Sequence, residues 1–192
     1  QDFTTQVTLN TGGLMSIAIG DLDQDGDMDI VSADVGSDDV IWWENSDLYQ
    51  NTTKKSIMQC WGCDFTFVDL SDMDIDGDLD ILVTIQSKNE IKWIENKGLQ
   101  SNGSLFTEGH SIYNSFSGVT SAKAIDLDLD GDMDVVSASS YDDAIAWYEN
   151  DGAADPSFTA ADIATSADMA RGVFVADMDN DGDMDIVSAS LN

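Results

Sequence analysis

One nonapeptide occurs four times along this chain, and its spacing limits the possible folds more than any other feature. The copies read DLDQDGDMD, DMDIDGDLD, DLDLDGDMD and DMDNDGDMD, and they begin at Asp21, Asp72, Asp126 and Asp177. Successive copies therefore start 51, 54 and 51 residues apart. A fixed period of this length is typical of a repeat architecture, in which each unit buries its apolar surface against its neighbours.

Short apolar runs accompany each copy of the nonapeptide. One run precedes the copy and another follows it, as 16–19 and 30–33 do around the first copy. Segments 3–7 and 158–161 are candidates for a further run. After the run that follows the nonapeptide, each of the first three copies has a further run that contains a tryptophan. This tryptophan lies 21 residues after the first Asp, at Trp42, Trp93 and Trp147. The runs are β-branched or aromatic and are separated by Gly, Asn, Asp and Ser, which indicates strands and turns.

The repeat length predicts the architecture. Four short strands in about 50 residues form one blade of a β-propeller. No stretch keeps helical periodicity over three turns, so we predict an all-β chain of about four propeller-type blades, forming a single repeat domain over 1–192. At about 51 residues per blade, 192 residues give fewer than four complete blades. Three interpretations stay open: a fragment of a larger propeller, a partial ring completed by another subunit, and an open array whose ends stack into a filament.

The charge of the chain excludes several classes of partner. It has 38 Asp and Glu against 7 Lys and Arg, with a formal net charge of -31. Such a chain repels phosphate backbones and anionic membrane surfaces, and no run approaches 18 apolar residues, so we predict neither nucleic-acid binding nor membrane insertion. Disorder is not expected, because 42% of the residues are hydrophobic. The four nonapeptides hold 20 of the 38 acidic residues.

The positions of these carboxylates predict a cation site in each copy. Side chains at positions 1, 3 and 5 of a tight loop can converge, Gly at position 6 permits the sharp turn, and the carbonyl at position 7 and the carboxylate at position 9 complete the shell. A purely oxygen ligand set favours Ca²⁺ over zinc or copper, and Mg²⁺ prefers to keep its waters, so we predict about four Ca²⁺ ions. The predicted side-chain ligands are Asp21, Asp23, Asp25, Asp29, Asp72, Asp74, Asp76, Asp80, Asp126, Asp128, Asp130, Asp134, Asp177, Asp179, Asp181 and Asp185. The residues at position 7 are expected to supply backbone carbonyls with their side chains turned to solvent: Asp27, Asp78, Asp132 and Asp183.

Two other interpretations of these segments are weaker. A single Asp-Gly cluster could be an acidic turn without a cation, but four copies in register favour a cation site. An EF-hand needs flanking helices and a Glu at loop position 12, where this chain has Ser32, Val83, Ser137 and Ser188. We expect calcium to be structural, and we predict that the chain is not an enzyme, because carboxylate pairs that could hydrolyse glycosides are committed to cations.

Together these elements resemble a known family. Four Asp-x-Asp-x-Asp-Gly-Asp-x-Asp loops, each followed by a Val-Ser-Ala-type strand and three also by a Trp-Tyr-Glu-Asn-type strand, are similar to FG-GAP/VCBS repeats. These are the calcium-loop blades of integrin-α-like β-propellers, in which the loop joins the first two strands. The resemblance covers essentially the whole chain. It implies a secreted, extracellular protein with a structural or adhesive role and other protein chains as partners. It also leaves open a calcium-dependent, lectin-like propeller that binds glycans, and a non-catalytic module of a larger secreted enzyme.

An extracellular location bears on two smaller motifs. Cys60 and Cys63 are the only cysteines, and we expect a disulfide between them. A redox motif would need a βαβ context, and a zinc site would need two further soft ligands. Asn51 and Asn102 begin N-glycosylation sequons and are predicted glycosylation sites.

The tryptophan runs have two interpretations. The three tryptophans could stack against sugars, but their fixed place in a strand favours packing between blades. The residues that follow them, Trp43, Ile94 and Tyr148, are expected on a more exposed opposite face. The single histidine, His110, is expected on a loop.

Overall fold

The computed structural model describes residues 12–45, 52–98, 105–113 and 117–191, and these are almost entirely β-structure and turns. The one exception is a single turn of 3₁₀-helix at Gln86–Lys88. The strands are β1 (Leu14–Gly20), β2 (Asp29–Asp34), β3 (Asp39–Asn45), β4 (Thr52–Gln59), β5 (Phe65–Ser71), β6 (Asp80–Ile85), β7 (Glu90–Ile94), β8 (His110–Tyr113), β9 (Val119–Ile125), β10 (Asp134–Ser139), β11 (Ala144–Asn150), β12 (Phe158–Ala164), β13 (Gly172–Ala176) and β14 (Asp185–Ala189).

The strands form antiparallel meanders that repeat along the chain. Blade 1 has the order β1-β2-β3-β4, blade 2 the order β5-β6-β7-β8 and blade 3 the order β9-β10-β11-β12, while β13 and β14 form a terminal hairpin. In each unit the nonapeptide connects the first strand to the second. The predicted all-β architecture of propeller-type, four-stranded blades is therefore confirmed.

The fourth strands are the part of the blade that the sequence predicts least well. Segment 158–161 lies in β12, as predicted, but β4 and β8 were not predicted, and segment 3–7 lies outside the described residues. The expectation that His110 lies on a loop is wrong, because it begins β8 and stacks on Trp93 with ring centroids 4.9 Å apart. β4 is largely exposed, and Lys55 lies 4.2 Å from the centre of the Trp42 ring. Exposed, lysine-bearing outer strands are common in sheets because they discourage edge-to-edge association.

The apolar cores lie between consecutive blades. Between blades 1 and 2, Val31 and Trp42 of the first blade are buried with Phe65 and Ile81 of the second. Equivalent clusters fill the space between blades 2 and 3 and between blade 3 and the terminal hairpin. Each blade is therefore stabilised mainly by its neighbours, as expected for a repeat protein.

The predicted role of the tryptophans is correct, but the expectation for the residues next to them is wrong. Trp42 and Trp93 are 3% and 1% exposed, and Trp147 is partly buried against the third core cluster. The residues on the opposite face are also buried: Trp43, Ile94 and Tyr148 are 7%, 0% and 1% exposed. Blades 2 and 3 have neighbours on both faces, which cover Ile94 and Tyr148, whereas Trp43 in blade 1 donates its indole N–H to Ser32 Oγ at 2.9 Å.

The two cysteines form a disulfide in the connection between blades 1 and 2. The Cα atoms of Cys60 and Cys63 are 5.4 Å apart, and the Cys63 N–H donates to the Cys60 carbonyl at 3.0 Å. Cys63 is buried in the first core cluster, so the bridge fixes the chain where it passes from one blade to the next. The predicted glycosylation sites Asn51 and Asn102 lie outside the described residues.

The first strand exposes apolar side chains whose equivalents are buried in later blades. Leu14, Ile17 and Ile19 are 37%, 52% and 62% exposed. Counted back from the nonapeptide, Leu14 and Ile17 correspond to Phe65 and Val68, which are 0% and 2% exposed against the preceding blade. We call Leu14, Ile17 and Ile19 the N-terminal end face.

The terminal hairpin exposes apolar side chains on the face that a following unit covers in earlier blades. Phe174, Met178 and Val187 are 60%, 63% and 45% exposed. Val187 occupies the repeat position of Val31 and Val136, which are both 0% exposed because the next unit covers them. We call Phe174, Met178 and Val187 the C-terminal end face.

Candidate metal centres

Each nonapeptide, here called Asp loop 1 to 4 in chain order, is shaped by hydrogen bonds from its backbone to its own carboxylates. In all four, the N–H of the glycine at position 6 donates to Oδ2 of the Asp at position 1, at 3.0, 3.0, 3.1 and 3.1 Å. The glycine φ angles are 95°, 97°, 105° and 100°. Glycine adopts such a conformation without steric cost, so it allows the loop to fold back around its first carboxylate.

The Asp at position 9 joins the loop to the rest of the blade. In each complete blade its Oδ2 accepts the N–H of position 2, at 3.3, 2.9 and 3.2 Å in Asp loops 1 to 3. Its Oδ1 accepts the N–H of the Asn that ends the third-strand segment, at 2.7, 2.7 and 2.8 Å. The residues involved are Asp29 with Asn45, Asp80 with Asn96, and Asp134 with Asn150. These three carboxylates are 0%, 0% and 1% exposed, and burial raises the pKa of Asp80 to about 7.

The structure brings twelve of the sixteen predicted side-chain ligands into close groups. Each loop has three carboxylates with ligand oxygens within 4.8 Å of one another, and positions 1 and 3 belong to the group in every loop. The third member is at position 5 in Asp loops 1 and 3 and at position 9 in Asp loops 2 and 4. The groups are Asp21, Asp23 and Asp25; Asp72, Asp74 and Asp80; Asp126, Asp128 and Asp130; and Asp177, Asp179 and Asp185. The four other predicted ligands lie outside these groups: Asp29, Asp76, Asp134 and Asp181.

The side chains at position 7 do not all turn to solvent. Asp183 is exposed, whereas Asp78 accepts a hydrogen bond from the Gln24 amide of Asp loop 1. The expectation is wrong for Asp132, which is 8% exposed. The turn between β11 and β12 covers it: a Cβ placed on Gly152 would lie 2.6 Å from Asp132 Oδ2. A larger residue at that point would require the Asp132 carboxylate to move.

Several buried carboxylate oxygens have no hydrogen-bond partner among the described residues. They include Asp74 Oδ1 in Asp loop 2, and Asp126 Oδ1 and Asp132 Oδ1 in Asp loop 3. Burial and the nearby Asp76 carboxylate raise the pKa of Asp74, since the charged form lacks compensation there. Unpartnered acidic oxygens beside further carboxylates are the donor set that Ca²⁺ prefers, so the residues fit this ion.

The asparagines that hold the position-9 carboxylates are not among the site residues predicted from the sequence. Asn45, Asn96 and Asn150 are buried, at 3%, 0% and 3% exposure. The available signal was the Glu-Asn pair that follows each tryptophan run in the same register. In the structure, the backbone N–H of each Asn donates to one carboxylate of the Asp loop in its own blade and fixes its position.

The comparison with protein families settles the classification. A family model described as FG-GAP-like repeat matches residues 21–83, 72–137 and 126–188. The chain belongs to the FG-GAP-like repeat family. Each match begins at one Asp loop and ends in the strand that follows the next Asp loop. Every FG-GAP-like unit therefore spans two neighbouring Asp loops and one inter-blade core. FG-GAP-like repeats often bind Ca²⁺. The chain matches none of the curated proteins with which it was compared.

Proposed function

We propose that this FG-GAP-like chain is a calcium-stabilised, non-catalytic module with a structural or adhesive role outside the cell. The observation that carries the proposal is the repeated group of three close carboxylates in every Asp loop, with buried, unpartnered oxygens in two of them. The calcium ligands would come from the Asp residues of each loop. A bound cation would compensate carboxylates that the fold buries through their bonds to the backbone.

Calcium removal tests this proposal directly. At free Ca²⁺ of about 100 times Kd, each independent site adds roughly 2.7 kcal/mol to the free energy of unfolding. We expect calorimetric titration to give about four ions per chain, and EDTA to lower the melting temperature sharply. Asp74→Ala should remove one ion from the stoichiometry. The control Asp155→Ala changes an exposed Asp outside the Asp loops and should leave the stoichiometry unchanged. Identical melting curves in Ca²⁺ and in EDTA would contradict the proposal.

Two observations support an extracellular location. The Cys60–Cys63 disulfide is of a kind that persists in oxidising compartments, and FG-GAP-like repeats are typically extracellular. Among the described residues there is no helix with the length and apolarity needed to cross a membrane. The net charge of -31 supports the prediction that the partners do not include nucleic acid.

The end faces support a second copy of this chain as a partner. Leu14 and Ile17 of the N-terminal end face occupy positions that later blades bury against a preceding unit, and Met178 and Val187 of the C-terminal end face occupy positions that earlier blades bury against a following unit. A head-to-tail contact between two chains would repeat the packing already present between blades. Such a heterologous contact generates rings or filaments.

Sedimentation velocity in Ca²⁺ measures this association. We expect concentration-dependent oligomers for the wild-type chain, and monomers for both Ile17→Glu and Val187→Glu. The control Trp61→Ser removes an apolar side chain that is 81% exposed in the connection from β4 to β5, outside both end faces, so it should associate normally. A wild-type chain that stays monomeric over the whole concentration range would contradict self-association.

A cleft beside Asp loop 1 favours carbohydrate binding as the second candidate function. It has a volume of about 690 Å³, and its lining combines Asp23, Glu44 and Lys55 with the apolar ring of Phe106. Acidic and aromatic groups together suit a sugar, whose hydroxyls need acceptors and whose C–H face packs on a ring. A glycan array tests this function: calcium-dependent binding that is lost in Phe106→Ala supports it, and an array without binding contradicts it.

A further inference from the structure

Hydrogen bonds connect Asp loop 1 to Asp loop 2 through the interior of the protein. The side-chain amide of Asn96, in blade 2, donates to the Leu22 carbonyl of Asp loop 1 at 2.8 Å. It also donates to the Leu79 carbonyl of its own loop at 3.1 Å. Leu22 and Asn96 are 1% and 0% exposed, so these bonds are shielded from water. One asparagine therefore holds the backbone of two Asp loops that are 51 residues apart in sequence.

Both ends of this connection are position-9 carboxylates. The Asn96 backbone N–H donates to Asp80 Oδ1 at 2.7 Å. At the other end, the Leu22 N–H donates to Asp29 Oδ2 at 3.3 Å. The chain of bonds thus runs from Asp80 through Asn96 and Leu22 to Asp29.

The same connection continues to Asp loop 3. Asn150 donates its backbone N–H to Asp134 Oδ1 at 2.8 Å and its side-chain amide to the Met73 carbonyl at 3.4 Å. The Met73 N–H donates to Asp80 Oδ2 at 2.9 Å. Asp80 accordingly accepts one bond from each connection, and the two form one continuous chain across three blades. The described part of the terminal hairpin has no third strand, and so no asparagine links Asp loop 4 to Asp loop 3 in this way.

We propose that Asn96 and Asn150 couple calcium binding between neighbouring Asp loops. The inference rests on the proposed function, because it assumes that the loops bind Ca²⁺. Asp80 belongs to the close carboxylate group of Asp loop 2, so ordering that group fixes Asp80, the Asn96 backbone bound to it, and the carbonyl that the Asn96 amide holds in the preceding loop; it likewise fixes the Met73 backbone, whose carbonyl accepts the Asn150 amide. The preceding loop then loses less conformational freedom when its own carboxylates are ordered. Asp loops 1, 2 and 3 therefore bind with positive cooperativity, and Asn96 and Asn150 act as positioning residues.

The glycine amides at position 6 allow each loop to be followed separately. Gly26, Gly77, Gly131 and Gly182 each donate to the first Asp of their loop, so their NMR amide resonances report the filling of individual sites during a Ca²⁺ titration. In the full chain, Asp74→Ala disables Asp loop 2. We expect this change to weaken the Ca²⁺ affinity reported by Gly26 by at least about fivefold, the lower end of typical allosteric coupling.

The asparagine variants decide whether the coupling follows these bonds. Gln24 of Asp loop 1 also donates to Gly77 and Asp78 of Asp loop 2, so the test is made in Gln24→Ala, where adding Asn96→Ala should abolish the shift that disabling Asp loop 2 causes at Gly26. The matched control is Asn45→Ala, which removes a bond to the Met28 carbonyl of its own Asp loop 1 and should leave the coupling of loops 1 and 2 intact. A second control lies in Asp loop 4, whose Gly182 midpoint should not change when Asp128→Ala disables Asp loop 3.

The outcomes separate this inference from the proposed function. A titration in which no glycine amide responds to Ca²⁺ refutes calcium binding itself. A titration in which all four respond, but the Gly26 midpoint is the same with and without a working Asp loop 2, overturns the coupling and leaves calcium binding in place. If Asn96→Ala does not fold, Asn150→Ala applies the same test to Asp loops 2 and 3, with Gly77 as the reporter.

Discussion

The stacking of blades can be tested by one substitution made at the same repeat position in three places. Val31 and Val136 are 0% exposed, whereas Val187 is 45% exposed on the C-terminal end face. Each residue lies two positions after the Asp at position 9 of its loop. Val→Ala removes the same two methyl groups from the same strand environment at each position, so differences in β-propensity cancel.

The burial of each side chain sets the expected loss of stability. Removing two buried carbon atoms costs about 1.6 kcal/mol in transfer free energy, and the remaining cavity raises the cost to about 2 kcal/mol. Val31→Ala and Val136→Ala should each lose about this much. Val187 is nearly half exposed, and solvent fills the space that its methyl groups leave, so Val187→Ala should lose less than about 1 kcal/mol.

Urea denaturation followed by tryptophan fluorescence measures these differences. The titrations belong in saturating Ca²⁺ at a low protein concentration, where end-to-end association does not contribute. Equal losses for all three variants under these conditions would refute the claim that the terminal hairpin lacks the cover that internal blades have. If the loss at Val187 rises with protein concentration, a second chain covers that face.

Three further predictions concern the Asp loops and the disulfide. Burial raises the pKa of Asp80 from 3.8 to about 7. In EDTA, the contribution of Asp80 to the free energy of unfolding is therefore fully present below pH 3.8 and is lost as the pH rises through 7, by up to about 4 kcal/mol. Urea titrations in EDTA should therefore show higher stability at pH 5.5 than at pH 8, and those in Ca²⁺ the reverse; parallel pH profiles would contradict this. Gly77→Ala places a side chain at φ 97° and should cost about 1 kcal/mol and weaken calcium binding, while Gly172→Ala, where a Cβ meets nothing within 4 Å, should do neither. Cys60→Ser opens the small ring closed by Cys63 and should cost about 2 kcal/mol, whereas an unchanged denaturation midpoint would show that the bridge does not stabilise the fold.

The repeat made most of the fold predictable, because the same strand pattern recurs in register. The strands next to each nonapeptide carry β-branched residues and could be located from the sequence. β4 could not, since its sequence TTKKSIMQ has no alternating apolar pattern. It is held instead by contacts with β3, among them Lys55 over Trp42 and the 2.7 Å ion pair of Lys55 with Glu44. Tertiary contacts of this kind override local propensity.

The candidate site was predictable as far as its chemistry is local. Carboxylate spacing and the position-6 glycine identify each loop, because both act within nine residues. The bond from Asn96 to Leu22 joins residues 74 positions apart, and it exists only because blades 1 and 2 stack. The burial of Asp132 likewise depends on a turn that follows β11. The first feature joins two repeats, and the second lies within one blade but outside the nonapeptide.

The Asp at position 9 of the Asp loop explains why the fold and the candidate metal site depend on each other. Asp80 accepts backbone N–H groups from two different segments, Asn96 and Met73, one on each oxygen. An asparagine at this position would offer only one acceptor oxygen and would place its own NH₂ against the second N–H, leaving a buried donor unsatisfied. A carboxylate is therefore required for the backbone, yet the same burial disfavours its charge. A cation held by the neighbouring carboxylates would compensate that charge without competing for the two N–H groups, since each oxygen keeps a second lone pair. The same loop therefore shapes the blade and buries a charge that a bound cation would compensate.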